Sequence, residues 1–300
     1  MKGIDVEKYS QEIVESEPTA RVSRLIEDVR ENMLVKNEKA PVALSILNEK
    51  TGKLPVIIRK AMAEREKLAH APAGIWPGQI FAGCFTLREE KLVNTYALPE
   101  FAYPEEQKEG EKYGFGIYSM FGHISPDYPR LLTLGTEGIR KRASKQLSCA
   151  QDEQAEAFLT AVMISLEGLE KFASRHADML LEKWAAETDE GRKKELKRTE
   201  EALRNVPRHP ATTFFEACQS SWLLHLALQL TDNYLALGRP DQYLYPFLKK
   251  DLEEGRLTLE EAQEMTDLYM LKFNERSQDN EVAAEMMDLE LEERKQEKKW

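Results

Sequence analysis

The sequence predicts a mainly α fold with few strands, and three observations carry that prediction. Apolar side chains recur at spacings of three and four over long stretches, the period of a helix face packed on a core. Helix start signals stand ahead of several of those stretches. Clusters of Pro, Gly and aromatic residues, which mark turns and short strands, concentrate in one segment, 72–116.

Taken in order, helices are expected at 19–37 and 56–70, followed by the turn-rich segment 72–116. The stretch "FGHISPDYPRLL" (121–132) then opens a helix: Ser125 is a natural N-cap, Pro126 suits the first helical position, and Asp127 favours the positive end of the helix dipole. Residues 154–186 carry Phe158, Leu159, Val162, Met163, Leu166, Leu169, Phe172 and Ala173 on one stripe, which describes a single long amphipathic helix. Helix 189–205 is charged almost all round and belongs on the surface. Pro207 and Pro210 break the chain before 211–230, where Phe214, Phe215, Cys218, Trp222, His225, Leu226 and Leu230 predict a deeply buried helix. Gly238 reads as the stop after it. "LGRPDQYLYPF" (237–247) reads as a buried strand or ordered loop, because its aromatics and prolines do not suit a surface helix. Thr258 and Glu261 form a capping box that opens a helix running to about residue 274. Residues 1–280 read as one unit, with 281–300 as a charged helical tail.

Composition excludes several classes. At 300 residues with a formal charge of −11, the chain lacks the clustered positive charge that gripping nucleic-acid phosphates requires. No signal core opens the sequence and no window nears 18 uninterrupted apolar residues, so the expectation is a cytoplasmic protein without membrane contact. Three widely spaced cysteines, Cys84, Cys149 and Cys218, fit reduced thiols. Cys218 and His225 share a helix face but lie about 10 Å apart by helical rise, too far to hold one metal ion. No phosphate-cradling Gly-rich loop, His-Glu-x-x-His or Ser-centred elbow occurs, which disfavours a metal hydrolase or nucleotide-binding enzyme.

Two histidines need separate readings. His176 continues the apolar stripe of 154–186 and reads as a core histidine with satisfied hydrogen bonds. His123 precedes the helix start at 125, where the dipole disfavours an imidazolium and leaves a neutral hydrogen-bonding group. Such a group either orients a hydroxyl or carboxylate or bonds backbone within its turn.

Five segments together resemble the N-terminal part of the glycyl radical enzymes, the pyruvate formate-lyase-like superfamily. They are "TGKLPVIIRKAMAEREKLAH" (51–70), "PGQIFAG" (77–83), "FGHISPDYPRLLTLGTEGIRKRA" (121–143), "PATTFFEACQSSWLLHLAL" (210–228) and "LGRPDQYLYPFLKKDLEEGRLTLEEAQEM" (237–265). They follow the family's order over roughly residues 20 to 275. The Gly-His-x-x-Pro-Asp-Tyr segment is most similar to the dehydratase, decarboxylase and C–heteroatom lyase branches. In glycerol-dehydratase-like members the histidine matching His123 contacts a substrate hydroxyl.

The resemblance implies the helical N-terminal part of an α/β barrel. It also implies a glycyl radical, installed by a separate S-adenosylmethionine iron–sulfur activating enzyme, that draws hydrogen from a cysteine whose thiyl attacks a small polar substrate. The activating enzyme and the substrate are thus the implied partners, and the resemblance allows a homodimer. Both radical loops are missing from residues 1–300. Gly83-Cys84-Phe85-Thr86 lacks the glutamate that commonly follows the thiyl cysteine and lies too early, while Arg21-Val22-Ser23 continues with Arg24 instead of glycine. What remains expected on the substrate side is His123, with Asp127 and Tyr128 beside it as supporting or capping groups. Arg239 and Asp241 are expected to form a buried ion pair or hinge framing the barrel entrance, or to contact substrate. The alternative is a non-catalytic helical scaffold or partner protein derived from that family.

Overall fold

The computed structural model describes residues 17–33, 38–41, 45–94, 97–114, 116, 124–231 and 235–275. His123, the last residues of the expected helix 19–37, and the expected tail at 281–300 lie outside them. The described chain is mainly helical: α1 (Ala20–Met33), α2 (Val56–His70), α3 (Pro104–Lys112), α4 (Tyr128–Leu147), α5 (Glu153–Ala186), α6 (Glu190–Asn205), α7 (Phe214–Thr231), the short α8 (Pro240–Tyr243), α9 (Tyr245–Glu253) and α10 (Leu259–Leu271). Three two-residue strands, β1 (Glu38–Lys39), β2 (Thr86–Leu87) and β3 (Leu92–Val93), form a small sheet. In it β3 is central, parallel to β1 and antiparallel to β2.

The long helix α5 organises the fold. Asp152 caps it by accepting the Ala155 N–H at 2.7 Å, and at 1.5 Å per residue its 34 residues extend about 50 Å. Leu169, Phe172, Ala173, Ala177 and Leu180 are buried where α2 and α6 pack against it. Phe158, expected on that stripe, is 54 % exposed. It belongs to the first turns of α5, where Ile57, Val162, Leu166, Leu224 and Leu228 join it in an open apolar groove of about 340 Å³ between α2, α5 and α7.

Helix α6 corrects the surface expectation in part. Leu196, Thr199, Ala202 and Leu203 are buried on it, together with Glu200, whose carboxylate is paired with Lys197 and Arg204, because even a highly charged helix docks through the few uncharged positions three and four apart. Helix α7 carries apolar side chains on every side and is buried around most of its circumference. Gln219 on this helix accepts from the Ala82 N–H at 2.8 Å and donates to the Ala82 carbonyl at 3.0 Å. Trp222 is fully buried and donates its indole N–H to the Gly83 carbonyl at 2.9 Å.

Three further expectations are corrected. Residues 240–253 form helices rather than a strand or loop, since Pro240 and Pro246 occupy the first turns, where a missing N–H costs nothing. Pro104 does the same for α3 inside the turn-rich segment, aided by Glu106 accepting from the Tyr103 N–H at 2.8 Å. The cap of α4 is Asp127, not Ser125. A cap at 125 would place Pro129 fourth in the helix, where its N–H is needed to close the first turn; with the cap at 127 it falls second, where none is needed.

Helix α4 is also broken inside. Gly135 has φ +63 and ψ 171, a backbone state that side-chain-bearing residues rarely adopt. The N–H groups released there bond outside the helix: Thr136 to the Pro207 carbonyl at 2.8 Å and Glu137 to that of Arg208 at 3.1 Å, while the Leu132 carbonyl accepts from Ala211 at 2.9 Å. The segment after α6 is thereby stitched to the side of α4.

Beneath α7, Lys272 and Glu275 are buried together. Lys272 Nζ lies 2.8 Å from both carboxylate oxygens of Glu275 and 2.8 Å from Gln79 Oε1. The Gln79 amide donates to the same carboxylate, and Asn32 donates to the Glu275 carbonyl at 3.1 Å. Burial pushes Glu275 up to about 7 against the opposing pull of Lys272 and Gln79.

Candidate functional site

The segments that carry the sequence-predicted residues, 124–128 and 235–241, lie side by side. The Ala236 N–H donates to the Ile124 carbonyl at 2.9 Å. Gly238, at φ +74, approaches Ser125 so closely that a Cβ there would lie 2.3 Å from Ser125 Oγ. The backbone state favours glycine, and any side chain there would also have to displace the Ser125 hydroxyl.

Asp127 serves as the cap of α4, accepting the Arg130 N–H at 3.1 Å, and pairs on the surface with the Arg130 guanidinium at 3.1 Å. Tyr128 points the other way. It is buried and stacked on Tyr243 at a centroid distance of 5.1 Å, with its hydroxyl 2.8 Å from His225 Nδ1. Burial raises both phenols, Tyr243 to about 12, so each is a neutral hydrogen-bonding group at physiological pH.

Arg239 and Asp241 form a two-bond ion pair, Nε to Oδ1 at 2.9 Å and Nη2 to Oδ2 at 2.6 Å. The expectation of a buried pair is corrected: the side chains are 73 % and 54 % exposed. Pro240 starts a single helical turn between them, which leaves the two flanking side chains on its outer side. Each holds the other in its charged form, Asp241 well below the usual carboxylate range.

Sequence reasoning missed the residues that join these segments. Gln229 Nε2 lies 3.4 Å from His225 Nε2 and donates to the Leu235 carbonyl at 3.2 Å, while the Tyr243 hydroxyl donates to the Leu237 carbonyl at 3.2 Å. Tyr128, His225 and Gln229 thus link α4, α7 and the segment 235–239. The available signal was His225 and Gln229 themselves, polar residues one turn apart in the apolar second half of the helix.

The thiols and His176 make no hydrogen bond to this junction. Cys84 is sealed in the core, where burial pushes its thiol up to about 12, and Cys218 is buried and likewise raised. Cys149 is exposed. His176 bonds the Phe172 carbonyl through Nδ1 at 2.8 Å, and burial holds it near 4, hence neutral. Its Nε2 has no partner, so the expected core histidine is satisfied at one nitrogen only. Among the described residues no group of His, Cys, Asp and Glu could hold a metal ion, and no helix is long and apolar enough to cross a membrane.

The family model of pyruvate formate lyase-like proteins matches residues 102–287. The chain belongs to this family, that of the glycyl radical enzymes. Among its pyruvate formate lyase-like relatives is the isethionate sulfite-lyase of Oleidesulfovibrio alaskensis, 35% identical over 150 residues that make up 47% of this chain and 18% of that enzyme. A probable dehydratase of Escherichia coli is 30% identical over 224 residues, 71% of this chain and 26% of the relative. The solved structure of a Roseburia inulinivorans protein described for 1,2-propanediol dehydration superposes with a TM-score of 0.68 at 26% identity, over 90% of this chain and 39% of that one. The glycerol-bound B12-independent glycerol dehydratase of Clostridium butyricum shares the fold with a TM-score of 0.69 at 23% identity, over 89% and 41%. The chain spans about a fifth to a quarter of the length of these curated relatives.

Proposed function

We propose that this chain is the N-terminal helical wall of a glycyl radical lyase or dehydratase, cleaving a C–C, C–O or C–heteroatom bond of a small polar substrate in the cytoplasm. Residues 1–280 act as one unit to which 281–300 are appended. The observation that carries the reading is the contact between Ile124, the residue after His123 in the chain, and Ala236 in the segment that leads to Arg239 and Asp241. In this reading His123 orients the substrate. Tyr128 anchors the helix behind it, Asp127 caps that helix, and Arg239 with Asp241 fixes the turn at the barrel entrance.

The radical belongs to a part of the enzyme that residues 1–300 do not supply, with a separate activating enzyme as partner and a homodimer as the family's assembly. The thiols present do not suit hydrogen transfer from a facing glycine. Cys84 and Cys218 are buried in the core with raised pKa values, and Cys149 is open to water, whereas radical chemistry needs a closed site. The chain's own contribution is to bind, orient and exclude water.

Two experiments test this. Treated anaerobically with an activating enzyme and S-adenosylmethionine, the 300-residue chain is expected to give no electron paramagnetic resonance signal and no turnover; a glycyl doublet from it would sink the proposal. In a full-length protein carrying this portion, His123→Ala is expected to leave radical yield and thermal midpoint near the parent while turnover falls about ten-fold or more, roughly 1.4 kcal/mol of transition-state stabilisation. A lower midpoint with unchanged turnover per radical would show that His123 only holds its turn.

A further inference from the structure

His225 lies in a hydrogen-bond chain between Tyr128 and Gln229. Gln229 Nε2 lies 3.2 Å from the Leu235 carbonyl, and only the amide nitrogen can donate there, so the amide orientation is set. The same nitrogen sits 3.4 Å from His225 Nε2. A hydrogen on Nε2 would face that donor, whereas a hydrogen on Nδ1 leaves Nε2 to accept from Gln229 and lets Nδ1 donate to the Tyr128 hydroxyl oxygen at 2.8 Å. His225 itself is nearly buried, packed edge-on against Phe273 at 4.9 Å and near-parallel to Trp222 at 6.1 Å. The ring is therefore held in place by groups independent of its hydrogen bonds.

We infer that His225, in its Nδ1–H form, is a positioning residue: through Tyr128 on one side and Gln229 on the other it locks segments 124–128 and 235–239 against each other. Each bond has a separate task. The bond to Tyr128 holds the first turn of α4, from which the chain runs back to Ile124. The bond to Gln229 orients the amide that holds the Leu235 carbonyl, one residue before the Ala236 N–H that bonds Ile124. Calling these segments substrate-side rests on the proposed function, but the lock is a property of this chain alone.

The test uses the 300-residue chain and needs no turnover. Nitrogen-15 imidazole spectra at pH 8, with the His225 signals assigned by their loss in His225→Phe, are expected to show the hydrogen on Nδ1. A hydrogen on Nε2 overturns the inference. Amide exchange at Ala236 is expected to accelerate roughly ten-fold in Tyr128→Phe and in Gln229→Leu, while amides in the middle of α5 change little. Equal acceleration at both places would mean that these residues only stabilise the fold globally, and unchanged exchange at Ala236 would mean that they lock nothing; either result overturns the inference. If His225→Phe does not fold, His225→Asn supplies the assignment. A full-length His123→Ala enzyme with undiminished turnover would remove the pocket reading and leave these readouts as they are.

Discussion

Trp222→Ala is expected to destabilise the fold by about 3–5 kcal/mol, the range for removing a large aromatic side chain from a packed core. Trp222 is fully buried, with Phe85 and Phe273 edge-on to its ring at 5.8 and 5.2 Å. Its loss would leave a cavity between α7 and the chain around Gly83. It would also strip the Gly83 carbonyl of its donor and Lys272 Nζ of the ring face 5.2 Å away, adding a polar cost to the volume term. Trp222→Phe keeps much of the volume and loses the indole N–H, so it should cost less than the alanine variant. Denaturant midpoints of the three proteins at one pH decide the matter. An alanine variant within about 1 kcal/mol of the parent would show that this region repacks freely.

The second large effect is expected from Glu275 and depends on pH. In the unfolded chain its carboxyl titrates near 4.5; in the fold it titrates near 7, because burial outweighs the help of Lys272 and Gln79. Below pH 4.5 both states hold the proton and the shift has no effect on folding. As pH rises through 4.5 the unfolded chain releases its proton while the fold keeps it, so stability falls until the folded group also ionises near 7. Glu275→Gln removes that slope. Relative to the parent, the variant should gain stability on going from pH 4.5 to pH 8, by an amount on the order of 3 kcal/mol at most. Its absolute stability suffers from leaving Lys272 without a counter-charge, which is why the change across pH is the informative quantity. Parallel stability curves for parent and variant would show that the carboxyl titrates alike in both states.

The sequence announced those parts of the fold whose causes are local. The three-and-four spacing of Leu169, Phe172, Ala173 and their neighbours located α5 to within a residue or two, and the Thr258–Glu261 capping box forms with both hydrogen bonds present. Prolines misled where their effect depends on position within a turn. Pro240 and Pro246 start helices instead of breaking them, and Pro129 moves the cap of α4 two residues along the chain. The pairing of Arg239 with Asp241 was legible because the two are neighbours, but its exposure was not, since that depends on where the turn sits on the folded surface. Tyr128 and His225 are 97 positions apart, and no periodicity or cap reports a contact made by packing two distant helices. The five family segments supplied the assignment to the glycyl radical enzymes that local signals could not.

The break in α4 has a consequence for how this protein can be altered. Rational stabilisation often replaces glycines inside helices with alanine, a change that gains roughly 0.5–1 kcal/mol where the backbone is helical. Applied to Gly135, the recipe would reverse its sign. The residue is left-handed, and a methyl there would lie 2.3 Å from the Arg208 carbonyl oxygen, a backbone atom that cannot swing aside. Directed evolution or consensus redesign of this chain would therefore find position 135 closed to substitution, though it lies at the α4 bend, seven residues beyond Tyr128, and carries no side chain of its own. Variation in this part of the fold must come from the first turn of α4, while the bend behind it stays fixed.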